Sequence, residues 1–462
     1  MNQGKKKYGQ LRRKYPELIY QGYETHYKNG EFFARYSFRL SGDIVFEPKF
    51  SLLPQLTSDA EISDTLLQNL VFHIGMAELI SYWKATCSPQ IVIAPHFLEP
   101  KALDWWKHLF YHGLGEFFYT NGIAPNYDDF VNFKCTGTSS LRAEGFHLRD
   151  LSLVPLGGGK DSAVALEILS KSKQNVFPVF LNPTKAARKV AAKAGFDKYQ
   201  SIEIKRVIDP QLLQLNAQGF LNGHTPFSAL LAFYTLLPAA ISGAKNIILS
   251  NESSANEPSI PGSTVNHQYS KSYAFESDFR DYCQNYISWD FNYFSFLRPL
   301  NELQIAALFS GYEKYHEAFR SCNVGSKTGV WCGKCPKCLF TFIILSPFLE
   351  PKALIRIFGR NLFEDDGQVN HFEQLCGLQP EKPFDCIGTV DEVNVAIHAT
   401  IEKYSGNELP ILLQHYAQSA LFDPNKKTGT KELLNHFDNS HFLPESYLKI
   451  LKTSMNNKFL EI

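Results

Sequence analysis

The feature that most constrains the fold is a glycine-rich loop between a predominantly apolar run and a helical segment. Leu151–Leu156 is followed directly by Gly157-Gly158-Gly159-Lys160-Asp161-Ser162, and a helical pattern then runs from about residue 162 to 170. A strand that turns tightly into a helix is the repeating unit of parallel sheets. We therefore expect an α/β fold with a doubly wound parallel sheet around this loop.

The same alternation of strand and helix continues downstream. Val176–Leu181 and Asn246–Leu249 are typical of short buried strands, whereas Thr184–Ala194 and Phe227–Ala240 are typical of helices. In open parallel sheets, ligands bind beyond the carboxyl ends of the strands. The glycine loop and the polar segment after Leu249 both follow strands, so we expect them to form one ligand site.

The chain of 462 residues is long enough for two or three domains. We predict an N-terminal α+β domain over residues 1–145, with a hairpin turn at Asn29-Gly30 and a half-buried strand over 32–40. The sheet domain is expected over 146–346, and a mainly helical region over 347–462. The N-terminal domain is expected to contribute to substrate recognition.

Charge and apolar patterning exclude several classes of protein. Lys and Arg total 46, as do Asp and Glu, so the net charge is zero, which disfavours a nucleic-acid partner. No stretch approaches the roughly 18 apolar residues of a membrane span, and no apolar segment follows the basic start. We expect a cytoplasmic protein without a membrane partner, acting on a small molecule. The sequence carries no signal for an oligomeric state.

The glycine loop is expected to bind phosphate. Successive glycines let the backbone approach an anion closely, the start of a helix adds free N–H groups, and Lys160 and Ser162 add a charge and a hydroxyl. It is not a Walker A loop, because Val154 stands where that motif has its first glycine and Asp161 follows the lysine. The alternative is a plain tight turn between strand and helix.

The segment Ser250–Glu257 carries an unusual density of polar side chains for a strand end. Glu252 and Glu257 could hold Mg²⁺ or orient an ammonium group. Further along, His267 is suited to acid–base chemistry near neutral pH, and Lys271 to a phosphate. The alternative is a long solvated loop.

A cysteine cluster predicts a metal site. Cys322, Cys332, Cys335 and Cys338 have the spacing C-x9-C-x2-C-x2-C, and two-residue spacers let thiolates converge on one ion at about 2.3 Å. Structural zinc is the favoured occupant, with an iron–sulfur cluster and free thiols as alternatives. Cys386 stands apart, either as inert packing or as an acid–base thiol.

The loop resembles the Ser-Gly-Gly-x-Asp-Ser signature of the PP-loop ATP pyrophosphatase superfamily, with Gly157 in place of the first serine. Members adenylate a carboxylate or carbonyl oxygen and release pyrophosphate. The cysteine pattern is similar to the zinc site of the superfamily enzyme that makes 7-cyano-7-deazaguanine. The resemblance implies a nucleotide site formed by Gly157, Gly158, Gly159, Lys160, Asp161, Ser162, Phe180, Asn182, Ser250 and Asn251.

Four segments taken together resemble the bacterial UDP-N-acetylmuramoyl-L-alanyl-L-glutamate epimerase (MurL) family. They are Pro155–Ser162, Ser250–Glu252, Asn266–Ser272 and Cys332–Cys338. The similarity extends over most of the chain, including 384–388. It implies ATP- and Mg²⁺-dependent conversion of the terminal L-Glu of UDP-MurNAc-L-Ala-L-Glu to D-Glu, during peptidoglycan precursor synthesis for cell-wall growth, cell shape and division.

The resemblance also assigns roles within the reaction. Lys160 would stabilise the charge that develops on pyrophosphate, and Asp161 would orient Mg²⁺ or the triphosphate. His267, Cys386 and Glu252 are the candidates for proton transfer at the glutamate α-carbon. The alternatives are another PP-loop reaction, such as amidation or nucleobase or tRNA modification, and a noncatalytic nucleotide sensor.

Overall fold

The computed structural model describes residues 3–42, 44–53, 62–172, 174–260, 262–263, 265–322, 324–325, 328–404, 408–423 and 429–459. At its centre lies one mixed sheet of eleven strands. The strands are β1 (Glu17–Lys28), β2 (Glu31–Leu40), β3 (Ile44–Phe46), β4 (Lys49–Leu53), β5 (Gln90–Ile93), β6 (Asn132–Cys135), β7 (Arg149–Pro155), β8 (Val176–Leu181), β9 (Ile202–Val207), β10 (Ala244–Leu249) and β11 (Asn292–Ser295).

Five of these strands form the expected parallel arrangement. Their order across the sheet is β9-β8-β7-β10-β11, and every neighbouring pair is parallel. The chain moves outward from β7 to β9 and then returns to add β10 on the other side of β7. The order therefore reverses between β7 and β10, and crevices for ligands form at such switch points.

The remaining strands extend the same sheet and make it mixed, not parallel throughout as expected. β4 pairs antiparallel with β9, and the sheet continues through β2, β1, β5 and β6. The predicted half-buried strand is confirmed as β2, in which buried and more exposed residues alternate. The predicted turn is confirmed by positive φ at Asn29 and Gly30. The sheet crosses residue 145 without a break, and a domain boundary there stays a prediction.

Helices cover the sheet and form most of the C-terminal region. They are α1 (Gln3–Lys14), α2 (Asp64–Trp83), α3 (Pro100–Gly113), α4 (Gly115–Thr120), α5 (Lys160–Lys171), α6 (Lys185–Lys193), α7 (Pro210–Ala217), α8 (Phe227–Ser242), α9 (Tyr273–Tyr286), α10 (Glu302–Ser310), α11 (Pro336–Leu345), α12 (Pro351–Phe358), α13 (Val369–Cys376), α14 (Val390–Lys403), α15 (Ile411–Ala417), α16 (Thr430–Asn435) and α17 (Glu445–Phe459). The predicted helices are confirmed as α5, α6 and α8, and the mainly helical region as α12 to α17.

The two faces of the sheet carry separate apolar cores. Leu153, Val179 and Ile247 pack into a core with α2 and α8. Their neighbours in the same strands, such as Val154 and Ile248, pack into the opposite core with α5, α6, α10 and α11. This alternation follows from the two-residue period of a strand. Helices from distant parts of the chain are thus fixed against the strands that carry the glycine loop.

Candidate active site

A cavity of about 530 Å³ lies where β7 and β10 end, at the switch point of the sheet. Its wall combines the glycine loop, the start of α8, the polar segment after Leu249, residues 320–322 and Cys386 of the C-terminal region. The predicted residues that line it are Gly157, Gly159, Asp161, Ser162, Ser250, Asn251, Glu252, His267, Lys271, Cys322 and Cys386. The two strand ends thus meet at one site, as the alternation of strand and helix indicated.

The glycine loop is held in a conformation that only glycine accommodates at its centre. Gly158 has a φ of +88°, and a Cβ there would lie 2.5 Å from the backbone nitrogen of Ala187. Its N–H donates to Ser162 Oγ over 3.1 Å, and that hydroxyl donates to the Gly159 carbonyl over 3.0 Å. Helix α5 begins at Lys160, so its N-terminus adds a partial positive charge beside the loop. This arrangement suits an anion.

Lys160 lies behind the loop instead of lining the cavity. Its ammonium is buried in contact with Asp161 and with Glu302, the first residue of α10. Burial disfavours the charged form of Lys160, but the two carboxylates have the larger effect and raise its pKa. Burial also raises the pKa of Glu302 to about 7. Glu302 was not predictable from the sequence, because it is 142 residues from Lys160 and no spacing links it to the loop.

The segment after β10 supplies both structural and unpaired polar groups. Asn251 donates to Ser295 Oγ over 3.0 Å, which ties the segment to β11. Ser250 Oγ is buried and has no hydrogen-bond partner among the described residues. The Glu252 carboxyl is also buried, and burial raises its pKa despite nearby Lys271. Ser250 and Glu252 therefore face the cavity with capacity to bind a ligand.

A thiol, an imidazole and a carboxylate form a chain of contacts at the cavity wall. His267 interacts with the Cys386 thiol through its side chain, and its Nδ1 contacts Glu116. Burial lowers the pKa of His267, but Cys386 and Glu116 outweigh burial and raise it to about 9. Burial raises the pKa of Cys386, but Lys271 and His267 outweigh it and lower that pKa to about 6. The pair is therefore arranged as thiolate and imidazolium near neutral pH.

A second histidine lies beside this chain of contacts. His224 Nδ1 is 3.3 Å from Glu116 Oε2, and its ring centroid is 4.5 Å from that of His267. Burial and then the charge of His267 lower the pKa of His224 to about 3. The ligand atoms of Glu116, His224 and His267 lie within 4.8 Å of one another, as in a metal site. The contacts of Glu116 with both imidazoles account for this closeness without an ion.

Three distant parts of the chain bring these side chains together. Glu116 lies in α4, His267 follows β10, and Cys386 precedes α14. The Cys386 segment is fixed on either side of the thiol. Tyr119 donates to the Glu381 carboxylate over 2.5 Å, and the Gln268 amide donates to the Ile387 carbonyl over 2.9 Å. The sequence indicated His267 and Cys386 but not Glu116 and His224, since only the tertiary fold joins the four residues.

Cations on the lining balance the carboxylates. Lys271 and Lys337 line the cavity, and so does Arg320, whose backbone N–H donates to the Gly158 carbonyl over 2.9 Å. Arg320 Nε is buried without a hydrogen-bond partner in the described part of the chain. This arginine was not predictable from the sequence, because a single basic residue outside a motif carries no signal. It lies beside the loop that is suited to an anion.

Phe180 and Asn182, both expected beside the nucleotide, do not line the cavity. Phe180 is buried in the core on the face of the sheet that holds α5. The Asn182 side chain donates to the Arg206 carbonyl and accepts from the Arg206 N–H, each over 2.8 Å. Phe180 thus packs in the core and Asn182 pairs with the end of β9, and their expected contact with the nucleotide stays a prediction.

The clustering of the four predicted metal ligands is confirmed. The Sγ atoms of Cys322, Cys332, Cys335 and Cys338 lie within 4.8 Å of one another. Three Sγ–Sγ separations are 3.5, 3.6 and 3.8 Å. Tetrahedral zinc with bonds of about 2.3 Å requires sulfur atoms about 3.8 Å apart, so the thiols fit such an ion. Cys322 also lines the cavity, so the cysteine cluster lies directly beside the candidate active site.

The fold and the cavity are those of an α/β enzyme in which a glycine loop suited to an anion lies beside a thiol–imidazole pair. The chain matches the MurL N-terminal domain over residues 10–296 and the MurL C-terminal domain over 317–429. No solved structure matches the chain. None of the described helices is long and apolar enough to cross a membrane.

Curated relatives give the same result. A UDP-N-acetyl-alpha-D-muramoyl-L-alanyl-L-glutamate epimerase of Xanthomonas oryzae pv. oryzae is 37% identical over 72% of this chain and 74% of its own. Proteins of the same name from Salinispora tropica and a Micromonospora species are 33% and 32% identical. They are matched over 76% and 72% of this chain, and over 76% and 75% of their own. The chain belongs to the MurL family and is an epimerase.

Proposed function

We propose that this protein converts the terminal L-Glu of UDP-MurNAc-L-Ala-L-Glu to D-Glu in the synthesis of peptidoglycan precursors, using ATP and Mg²⁺. The name of its relatives supports the substrate. The observation that carries the mechanism is one cavity that joins the anion-binding loop to the Cys386–His267 pair. Such a cavity suits activation of a substrate group followed by proton transfer beside it.

The need for ATP follows from the acidity of the substrate. Removing the α-proton beside an ionised carboxylate would create a dianion, which is strongly unfavourable. Transfer of AMP to the α-carboxylate removes that negative charge and releases pyrophosphate. The α-proton of this acyl-adenylate is acidic enough for a protein side chain to remove. Reprotonation on the opposite face and hydrolysis then give the D-Glu product and AMP.

The parallel strands and the loop support a PP-loop fold for the nucleotide site. The pyrophosphate part of ATP would lie against Gly157–Gly159 and Ser162 at the start of α5, where backbone N–H groups and the helix dipole favour anions. Arg320 lines the same part of the cavity and would add a positive charge. Asp161 and Glu252 offer carboxylate oxygens to Mg²⁺. Lys160 would act through Asp161, which it holds ionised.

The candidate proton-transfer groups are His267, Cys386 and Glu252. All three line the cavity, and the pKa of Cys386, lowered to about 6, suits a group that must change charge near neutral pH. Glu252 is separate from the other two and is the candidate for the opposite face of the α-carbon. The four clustered thiols would hold a structural zinc ion, which fixes the segment that carries Arg320.

Exchange of labelled pyrophosphate into ATP tests this proposal. The account predicts exchange that requires both Mg²⁺ and the UDP-MurNAc dipeptide, because the acyl-adenylate forms only with that substrate. Asp161→Asn should lose exchange, while Lys334→Gln, which changes an exposed residue near the metal cluster, should retain it. Exchange without the dipeptide, or with a nucleobase substrate in its place, would point to another adenylating reaction.

A further inference from the structure

Proton transfer alone does not explain why the Cys386 thiol lies beside His267. Inversion at the α-carbon requires proton removal on one face and proton delivery on the other. Cys386 and His267 line the same cavity side by side, and their side chains interact with each other. They therefore approach a substrate from one side, and a thiol is not needed there if the imidazole transfers the proton.

The contacts of this pair are those of an activated nucleophile. A nucleophilic side chain typically contacts a base, and the base is oriented by a third group. Here the thiol interacts with His267, and His267 Nδ1 contacts the Glu116 carboxylate. Lys271, another cavity residue, adds a positive charge beside the sulfur. The Glu116 carboxylate contacts both His267 and His224, which orients the His267 imidazole.

We propose that Cys386 takes the glutamyl group from the acyl-adenylate as a thioester, with His267 as its base and Glu116 as the positioning residue. This inference rests on the proposed function, which supplies the acyl-adenylate. The thioester keeps the α-proton acidic after AMP has left, because its carbonyl carries no carboxylate charge. Epimerisation then takes place on a substrate that is covalently held.

The steps balance without any further reactant. The thiolate electron pair forms a bond to the glutamyl carbonyl carbon, and the carbon–oxygen bond to AMP breaks, with its electron pair leaving on the phosphate oxygen. During inversion, Glu252 takes the α-proton on one face and later passes it to solvent, and the His267 imidazolium gives its proton to the opposite face of the α-carbon. Water then attacks the thioester and gives a proton to the neutral His267. The thiolate leaves with its electron pair, and the product carboxyl group ionises.

Rapid acid quench tests for the covalent intermediate. The wild-type protein is mixed with dipeptide substrate labelled in the glutamate, ATP and Mg²⁺, and then denatured at short times. An acyl-adenylate is bound noncovalently and is lost on denaturation, whereas a thioester stays on the protein. The account predicts label on the denatured chain, released by neutral hydroxylamine and mapped by mass spectrometry to Cys386.

Variants separate this inference from the proposed function. Cys386→Ala should carry no label and should not epimerise, yet keep pyrophosphate exchange within a few-fold of the wild type. Cys386→Ser should give a slower, more stable ester, and Cys135→Ala, at a cysteine outside the cavity, should behave as the wild type. Epimerisation by Cys386→Ala, or turnover with no label at any quench time, overturns the thioester. Absence of pyrophosphate exchange in the wild type refutes the adenylation step instead.

Discussion

Adding a methyl group at Gly158 should destabilise the protein far more than adding one at the adjacent Gly157. At Gly158 the backbone φ of +88° is unfavourable for alanine, and the new Cβ would lie 2.5 Å from a backbone nitrogen and 2.8 Å from a backbone carbon of α6. The left-handed conformation costs about 1–2 kcal/mol, and an overpacked contact about 1–3 kcal/mol. The sum, about 2–5 kcal/mol, is a large part of the roughly 5–15 kcal/mol that stabilises a protein.

Gly157→Ala is the matched control in the same loop. Nothing lies within 4 Å of a Cβ at Gly157, so the substitution should change stability by less than about 1 kcal/mol. Urea denaturation followed by circular dichroism, and the change in midpoint at constant slope, measures both effects. Equal midpoints for the two variants would show that the close approach of the loop to α6 does not constrain Gly158.

Further predictions concern a buried ion pair, the metal cluster and the Cys386 thiol. Glu78→Ala should lower the free energy of unfolding by about 3–5 kcal/mol, because it leaves the mostly buried Arg206 guanidinium without its ion-pair partner. Glu24→Ala, which breaks an exposed ion pair, should lower it by less than about 1 kcal/mol. Urea denaturation midpoints measure both changes. Metal analysis should find about one zinc per chain in the wild type and in Cys376→Ser but little in Cys338→Ser; absorbance near 400 nm would indicate an iron–sulfur cluster instead. Alkylation of Cys386 by iodoacetamide should be half-maximal near pH 6 and slow below it, because the reactive thiolate is lost as the pH falls through the lowered pKa. Lys271→Gln should move that midpoint upward, and an unchanged midpoint would contradict the assigned cause.

The local elements around the glycine loop were predictable because their signals lie within short stretches of sequence. Apolar runs indicated β7, β8 and β10, and the three glycines indicated the turn into α5. Positions after strands indicated where the site would form. The switch of strand order between β7 and β10 was not predictable, since strand order depends on long-range pairing.

The residues that were missed belong to contacts between distant parts of the chain. Glu116 lies 151 residues from His267, and Glu302 lies 142 residues from Lys160. Neither stands in a motif, so no spacing in the sequence could link them to their partners. The pairing of β4 with β9 has the same character, because it joins residues 49–53 to residues 203–207. Only the tertiary fold brings Glu116 of the N-terminal region against the cavity residue His267.

Solvent deuterium tests the central claim most directly. The protein is incubated with UDP-MurNAc-L-Ala-L-Glu, ATP and Mg²⁺ in D₂O, and the products are analysed by mass spectrometry and chiral chromatography. The account predicts AMP, pyrophosphate and a D-Glu residue that carries deuterium at its α-carbon. AMP formation without deuterium in the product would contradict epimerisation, and deuterated D-Glu in the absence of ATP would contradict activation by adenylation.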